Sequence, residues 1–150
     1  MTPPTLHTIG YEDAPLDAFL ATLTHAGVTV LVDTRERAQS RRRGYSKTAL
    51  STALKEQGIA YRHLRDLGTP PAVRKAYKLD KDIAALKAAY TLHLATQQGA
   101  LEELGTLAAH GHAALLCYEK NPGECHRSLI ARRLQDMGLV GDVVDLYVTA

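Results

Sequence analysis

Residues 28–34, VTVLVDT, constrain the fold more than any other stretch. They are β-branched and almost continuously apolar. A strand with one wet face alternates apolar and polar residues, whereas an unbroken apolar run belongs to a strand covered on both faces. Such cover is normally supplied by helices that cross from one parallel strand to the next. The rest of the chain should therefore alternate between strands and helices, and its patterning does.

LHTIG (residues 6–10) reads as a first strand. Pro15 then offers a favourable first helical position, and Leu16, Phe19, Leu20 and Leu23 follow at helical spacing up to Gly27. After VTVLVDT comes a polar loop, RERAQSRRRGY. Ser46 is placed to cap a helix over 47–57 that turns Leu50, Ala53 and Leu54 inward and stops at Gly58. IAYRHL (59–64) reads as a strand and DLGTPP as a turn, and 71–80 suit a short basic helix. The spacing of Ile83, Leu86, Tyr90 and Leu94 predicts a helix over 81–98, broken at Gly99. Leu101, Leu104 and Leu107 carry another towards Gly111. AALLCYE (113–119) is a fourth strand. A helix over 126–137 buries Ile130, Leu134 and Met137, and DVVDLYV (142–148) is the last strand. The expected fold is one α/β domain over residues 1–150, a mostly parallel sheet of about five strands with helices on both faces.

A chain of 150 residues suffices for one core without staples. No apolar run approaches the ~20 residues that span a bilayer, and the first residues lack the basic-then-apolar pattern of a signal peptide. Two cysteines are too few for a disulfide scaffold, so a reduced, cytoplasmic protein is expected. Net charge is only +2, which excludes a uniformly basic nucleic-acid glove. The segment 33–47 nevertheless carries a local +4, enough to attract anions.

Open parallel sheets bind ligands beyond the carboxyl ends of their strands. That edge collects Asp33, Thr34 and Arg35 from strand two and Cys117, Tyr118 and Glu119 from strand four. It also collects CYEKNPGECHR (117–127), which runs into the last long helix. Asp33 and Glu119 are candidates for acid–base work, or as a carboxylate pair for a metal. An Asp33–Arg35 pair that only fixes the loop is the alternative. Arg127, in the first turn of a helix where the dipole disfavours cations, needs an acid or an exogenous anion beside it. With Arg35 it forms the expected anion clamp.

Cys125 precedes a helix start and adjoins His126 and Arg127, a setting that favours thiolate and hence a nucleophile. Its spacing to arginine differs from the strand–loop–helix thiol enzymes, in which cysteine opens the loop and arginine closes it. A Cys117–Cys125 disulfide requires the intervening loop to double back. The spacing of Cys117, Cys125 and His126 matches no common zinc pattern, so no metal is assigned. Ser40 to Lys47 interleave Arg41, Arg42 and Arg43 with Tyr45, a combination suited to nucleotides or single strands as well as to a solvated loop.

Together TIGYE, VLVDTRERAQSRRRGYSKTAL, IAYRHLRDLGTP and ALLCYEKNPGECHRSLIARRL resemble the bacterial and archaeal family known as domain of unknown function 488, over residues 8–148. The resemblance implies an α/β fold. It implies that Asp33, Arg35, Ser40, Glu119, Cys125, His126 and Arg127 stand at the family's motif positions. Thr34 replaces a common valine, and a proline near Ala38 is missing, so the loop after strand two is expected to differ. The family carries no settled activity or cofactor to transfer. Three functions are therefore expected to compete. The first is an enzyme acting on a phosphate-bearing small molecule or nucleotide, with Asp33, Glu119, Cys125 and His126 catalytic and with Arg35, Ser40, Arg41, Arg42, Tyr45 and Arg127 holding the ligand. The second is a nucleic-acid-binding module built on 40–47. The third is a thiol-redox protein using Cys117 and Cys125.

Overall fold

A computed structural model describes residues 3–148. Five strands, β1 (Leu6–Gly10), β2 (Val30–Asp33), β3 (Ala60–His63), β4 (Ala113–Cys117) and β5 (Val143–Leu146), form one sheet in the order β3-β2-β4-β1-β5. Every pairing is parallel. Six helices complete the fold: α1 (Leu16–His25), α2 (Lys47–Glu56), α3 (Pro71–Asp80), α4 (Ile83–Ala95), α5 (Gln98–Ala109) and α6 (His126–Asp136). The α/β class with helices on both faces is as the sequence predicts.

The period of two along each strand divides the core. Leu31 and Leu116 face one side and pack with Phe19 and Leu23 of α1 and Leu50 and Leu54 of α2. Val32 and Leu115 face the other side and pack with Tyr90 and Leu94 of α4, Leu101 and Leu104 of α5, and Ile130 and Leu134 of α6. All residues of β2 and β4 are buried, as the apolar runs require. The chain leaves β1 and β2 for helices on one face, and it leaves β4, which lies between them, for α6 on the other. A crevice must open where neighbouring strands feed opposite faces, and it opens at the carboxyl ends of β2, β4 and β1.

The helices depart from the sequence pattern in three places. Gly99 lies inside α5, and the break falls at Thr96 and Gln97, whose backbone N–H groups close the end of α4. α4 buries side chains only in its second half, at Tyr90 and Leu94. Ile83 and the whole of α3 stay out of the core, so α3 and the start of α4 stand as an arm beside the crevice. Ser46 occupies the N-cap position of α2, but its hydroxyl bonds Ser40 across the loop and gives no cap bond to the helix.

Candidate functional site

The end of β2 is built around one charge pair. Asp33 is fully buried, and Arg35 bridges it with both arms of its guanidinium, Nε to Oδ1 at 2.9 Å and Nη2 to Oδ2 at 2.7 Å. The Tyr61 hydroxyl donates to Asp33 Oδ2 at 2.5 Å, and the Arg35 backbone N–H donates to Oδ1 at 3.1 Å. Arg35 Nη1 completes its donors on the Tyr45 carbonyl (2.7 Å) and the Tyr11 hydroxyl (3.3 Å). Burial opposes the arginine's charge. The hydrogen bonds and field of Asp33 outweigh it, and the guanidinium holds its proton more firmly than usual. Burial and the bond to Asp33 likewise push the Tyr61 hydroxyl upward.

The segment after β4 is held from inside the protein. Arg127 is fully buried in the first turn of α6. Its Nη1 donates to the Glu119 carbonyl (2.5 Å) and to Cys117 Sγ (2.9 Å), and its Nη2 donates to the Lys120 carbonyl (3.2 Å). The cation tolerates this helix end because carbonyl oxygens of the preceding loop surround it. β1 meets the same loop at Gly10, where a Cβ would stand 1.8 Å from the Glu119 carbonyl oxygen and 3.0 Å from Arg127 Nη1. Glycine is required there by proximity alone.

Cys117 ends β4 and Cys125 is the N-cap of α6; the two are joined as a disulfide, with Cα atoms 7.1 Å apart. His126 Nε2 donates to the Thr34 carbonyl at 2.8 Å. A carbonyl only accepts, so this bond fixes the proton on Nε2 and leaves Nδ1 as the basic nitrogen, 3.6 Å from Cys125 Sγ. Burial, with Arg127 nearby, pushes the imidazole down to about 4, so it is neutral at pH 7. The Tyr90 ring packs edge-on against it, centroids 5.4 Å apart. Among the described residues, Cys117, Cys125 and His126 are the one trio of ligand-bearing side chains close enough for a metal, their donor atoms within 4.8 Å of one another. As a disulfide the two sulfurs offer no thiolate, so a metal would require the reduced state.

These groups lie at the floor of a cleft of about 810 Å³. Tyr11, Arg35, Cys117, Tyr118, Glu119, Cys125 and His126 come from the sheet edge, and Arg74, Tyr77, Lys78, Lys81 and Lys87 come from the arm of α3 and α4. With Arg37 the wall carries six Lys and Arg side chains against two carboxylates, Glu36 and Glu119. Glu36 pairs with both Arg65 (3.3 Å) and Arg74 (3.0 Å), which ties the arm to the loop after β2.

The structure thus brings Arg35, Glu119, Cys125 and His126 to one cleft and leaves other candidates outside it. Asp33 lies beneath Arg35 and Tyr61, with its oxygens engaged. Arg127 points into the β4–α6 loop. Tyr45 is fully buried, stacked on Tyr11 with centroids 4.6 Å apart, and offers no ring to a base. Arg42 bonds the Ala14 carbonyl through Nε and Arg41 is exposed, while Ser40 lines a separate, more open groove of about 870 Å³. Sequence reasoning missed Tyr61, Thr34 as the anchor of His126, and the arm. A basic helix beyond a turn was the signal for the arm, but nothing in its pattern showed that it would turn towards the strand ends.

A family model matches residues 15–134, from the start of α1 through the Cys-His-Arg segment into α6. The chain belongs to the family described as domain of unknown function DUF488. The match spans the Asp33–Arg35 pair and both cysteines, so the cleft floor of this DUF488 protein lies within the family domain. No curated protein and no solved structure matches the chain.

Proposed function

We propose that this DUF488 protein is an enzyme whose substrate is a phosphate-bearing small molecule of nucleotide size, held in the cleft at the carboxyl edge of the sheet. The observation that carries this reading is the charge of the cleft wall, six cations against two carboxylates. Arg35 is committed to Asp33 and Arg74 to Glu36, but among the described residues Arg37, Lys78 and Lys87 form no ion pair with a carboxylate. A volume of about 810 Å³ accommodates a nucleotide, and the Tyr11, Tyr77 and Tyr118 rings at the wall offer apolar surface beside the cations. The anion clamp expected from Arg35 and Arg127 is replaced by the arm. The nucleic-acid alternative rests on Arg41, Arg43 and Lys47 alone, because Tyr45 is in the core. No helix among the described residues is long and apolar enough to cross a membrane; with only two cysteines in the chain, we place the activity in the cytoplasm.

Calorimetric titration with inorganic pyrophosphate and with adenosine diphosphate at low ionic strength tests the reading. Binding should weaken with added salt and fall at least about tenfold in a Lys78→Glu/Lys87→Glu variant that remains folded. Absence of binding to either probe at low salt would sink it.

A further inference from the structure

We infer that Cys117 and Cys125 are a working dithiol–disulfide pair, and that the cleft reduces a small disulfide carrying anionic groups. The inference rests on the proposed anion-binding cleft for the charge of the substrate, and on the sulfur geometry alone for the chemistry.

Three independent contacts activate the two sulfurs. Cys125 sits at the N-cap of α6, where free backbone N–H groups favour a thiolate. His126 Nδ1 lies 3.6 Å from its sulfur, with its tautomer fixed by Thr34. Cys117 Sγ accepts from the buried Arg127 guanidinium at 2.9 Å, which stabilises negative charge on that sulfur. Both cysteines line the cleft, and Cys125 is the more accessible of two buried residues, at 5% against 1%. Cys125 is therefore the attacking thiol and Cys117 the resolving one.

The steps balance without a further reactant until the reset. Cys125 ionises at the N-cap of α6 with its proton passing to solvent, and the thiolate, oriented beside His126 Nδ1, attacks one sulfur of the substrate disulfide. The Cys125–substrate bond forms, the substrate S–S bond breaks, and the first substrate sulfur leaves as a thiolate with the electron pair and is protonated by solvent. The Cys117 thiolate then attacks Cys125 Sγ and closes the Cys117–Cys125 disulfide. The second substrate sulfur leaves as a thiolate with the displaced electron pair and is protonated by solvent. The substrate gains two electrons and the protein loses two, and a dithiol reductant restores the pair.

Stopped-flow mixing of the reduced protein with two probe disulfides tests this. One is the dianionic 5,5′-dithiobis(2-nitrobenzoate) and the other is the neutral 2,2′-dithiodipyridine. The wild type should release two thiol equivalents per chain with either probe and end as the intramolecular disulfide by intact mass. Cys117→Ser should stop at one equivalent and carry the probe's mass, and Cys125→Ser should react at least about 100-fold more slowly. The anionic probe should react faster than the neutral one, and salt should remove the advantage. Folded protein inert to both probes would overturn the redox pair. Equal, salt-independent rates would overturn the anionic substrate while leaving the pair standing. A thiolate-to-metal absorption band on adding cobalt(II) to reduced protein, with thiol reactivity then lost, would assign the trio to a metal and also overturn the inference. All readouts on the wild type stand even if a variant fails to fold.

Discussion

Arg35 and Asp33 meet through two parallel hydrogen bonds, in a position where the carboxylate has no access to water. A pair of this kind is costly to break from one side, because the remaining charge stays buried. Asp33→Asn and Arg35→Ala should each destabilise the protein by about 3–5 kcal/mol in urea unfolding. Arg35→Lys should fail to rescue, since an ammonium cannot span both oxygens and the Tyr45 carbonyl together. Tyr61→Phe removes one donor only, with an expected cost of about 1–3 kcal/mol.

Gly10 should tolerate no side chain. Gly10→Ala places a methyl group against the Glu119 carbonyl, so the β4–α6 loop must shift. A loss of about 1–3 kcal/mol, measured by thermal melting, is expected. Because the same carbonyl accepts from Arg127, the reactivity of Cys117 should change in this variant although no sulfur ligand is mutated. An unchanged melting temperature and unchanged thiol kinetics would contradict the placement.

Arg127→Ala should act as a structural lesion. It strips donors from two half-buried backbone carbonyls and from Cys117. Loss of about 2–4 kcal/mol is expected, with Arg127→Lys recovering only part of it. Pyrophosphate binding by the fraction that stays folded should be largely retained, since the guanidinium does not reach the cleft. Selective loss of binding at full stability would reverse that assignment.

His126 should leave a mark on acid stability. Its folded pKa of about 4 lies below its ordinary 6.5, so between these values the unfolded chain binds the extra proton. Stability is therefore present in full above pH 6.5 and falls as pH drops through the window, by about 3 kcal/mol. Asp33, Arg74 and Arg127 supply the surrounding charges. In His126→Gln, whose amide can still donate to Thr34, the slope between pH 6.5 and 4 should flatten. Equal slopes in denaturant titrations of both proteins would refute this.

The scaffold was legible because its signals are local. The unbroken apolar run of β2, the spacing of Leu101 and Leu104, and the stop at Gly58 each report on neighbours within a few residues. The site was legible only to the level of the sheet edge. Asp33 and Arg35 are two residues apart, so their pairing was within reach of the sequence, but the third partner, Tyr61, lies 28 residues further on. Tyr45 between arginines read as a surface ring, yet its position under Tyr11 depends on where the loop folds back. His126 could be named, but the direction of its proton depends on the Thr34 carbonyl, 92 residues away in the chain.

The place of β4 in the sheet has a consequence for synthesis. Strands β2 and β1 are neighbours only through β4, which begins at Ala113. A nascent chain that has emerged up to α5 holds one two-stranded fragment, β3-β2, with an exposed inner edge, and a β1 whose two partners, β4 and β5, have yet to emerge. Such edges invite mispairing, and long-range parallel pairing is intrinsically slow. The same late strand carries Cys117 and leads into Cys125 and His126. The two cysteines therefore enter the protein late, with the segment that joins the sheet, and a chain stopped before β4 carries neither sulfur.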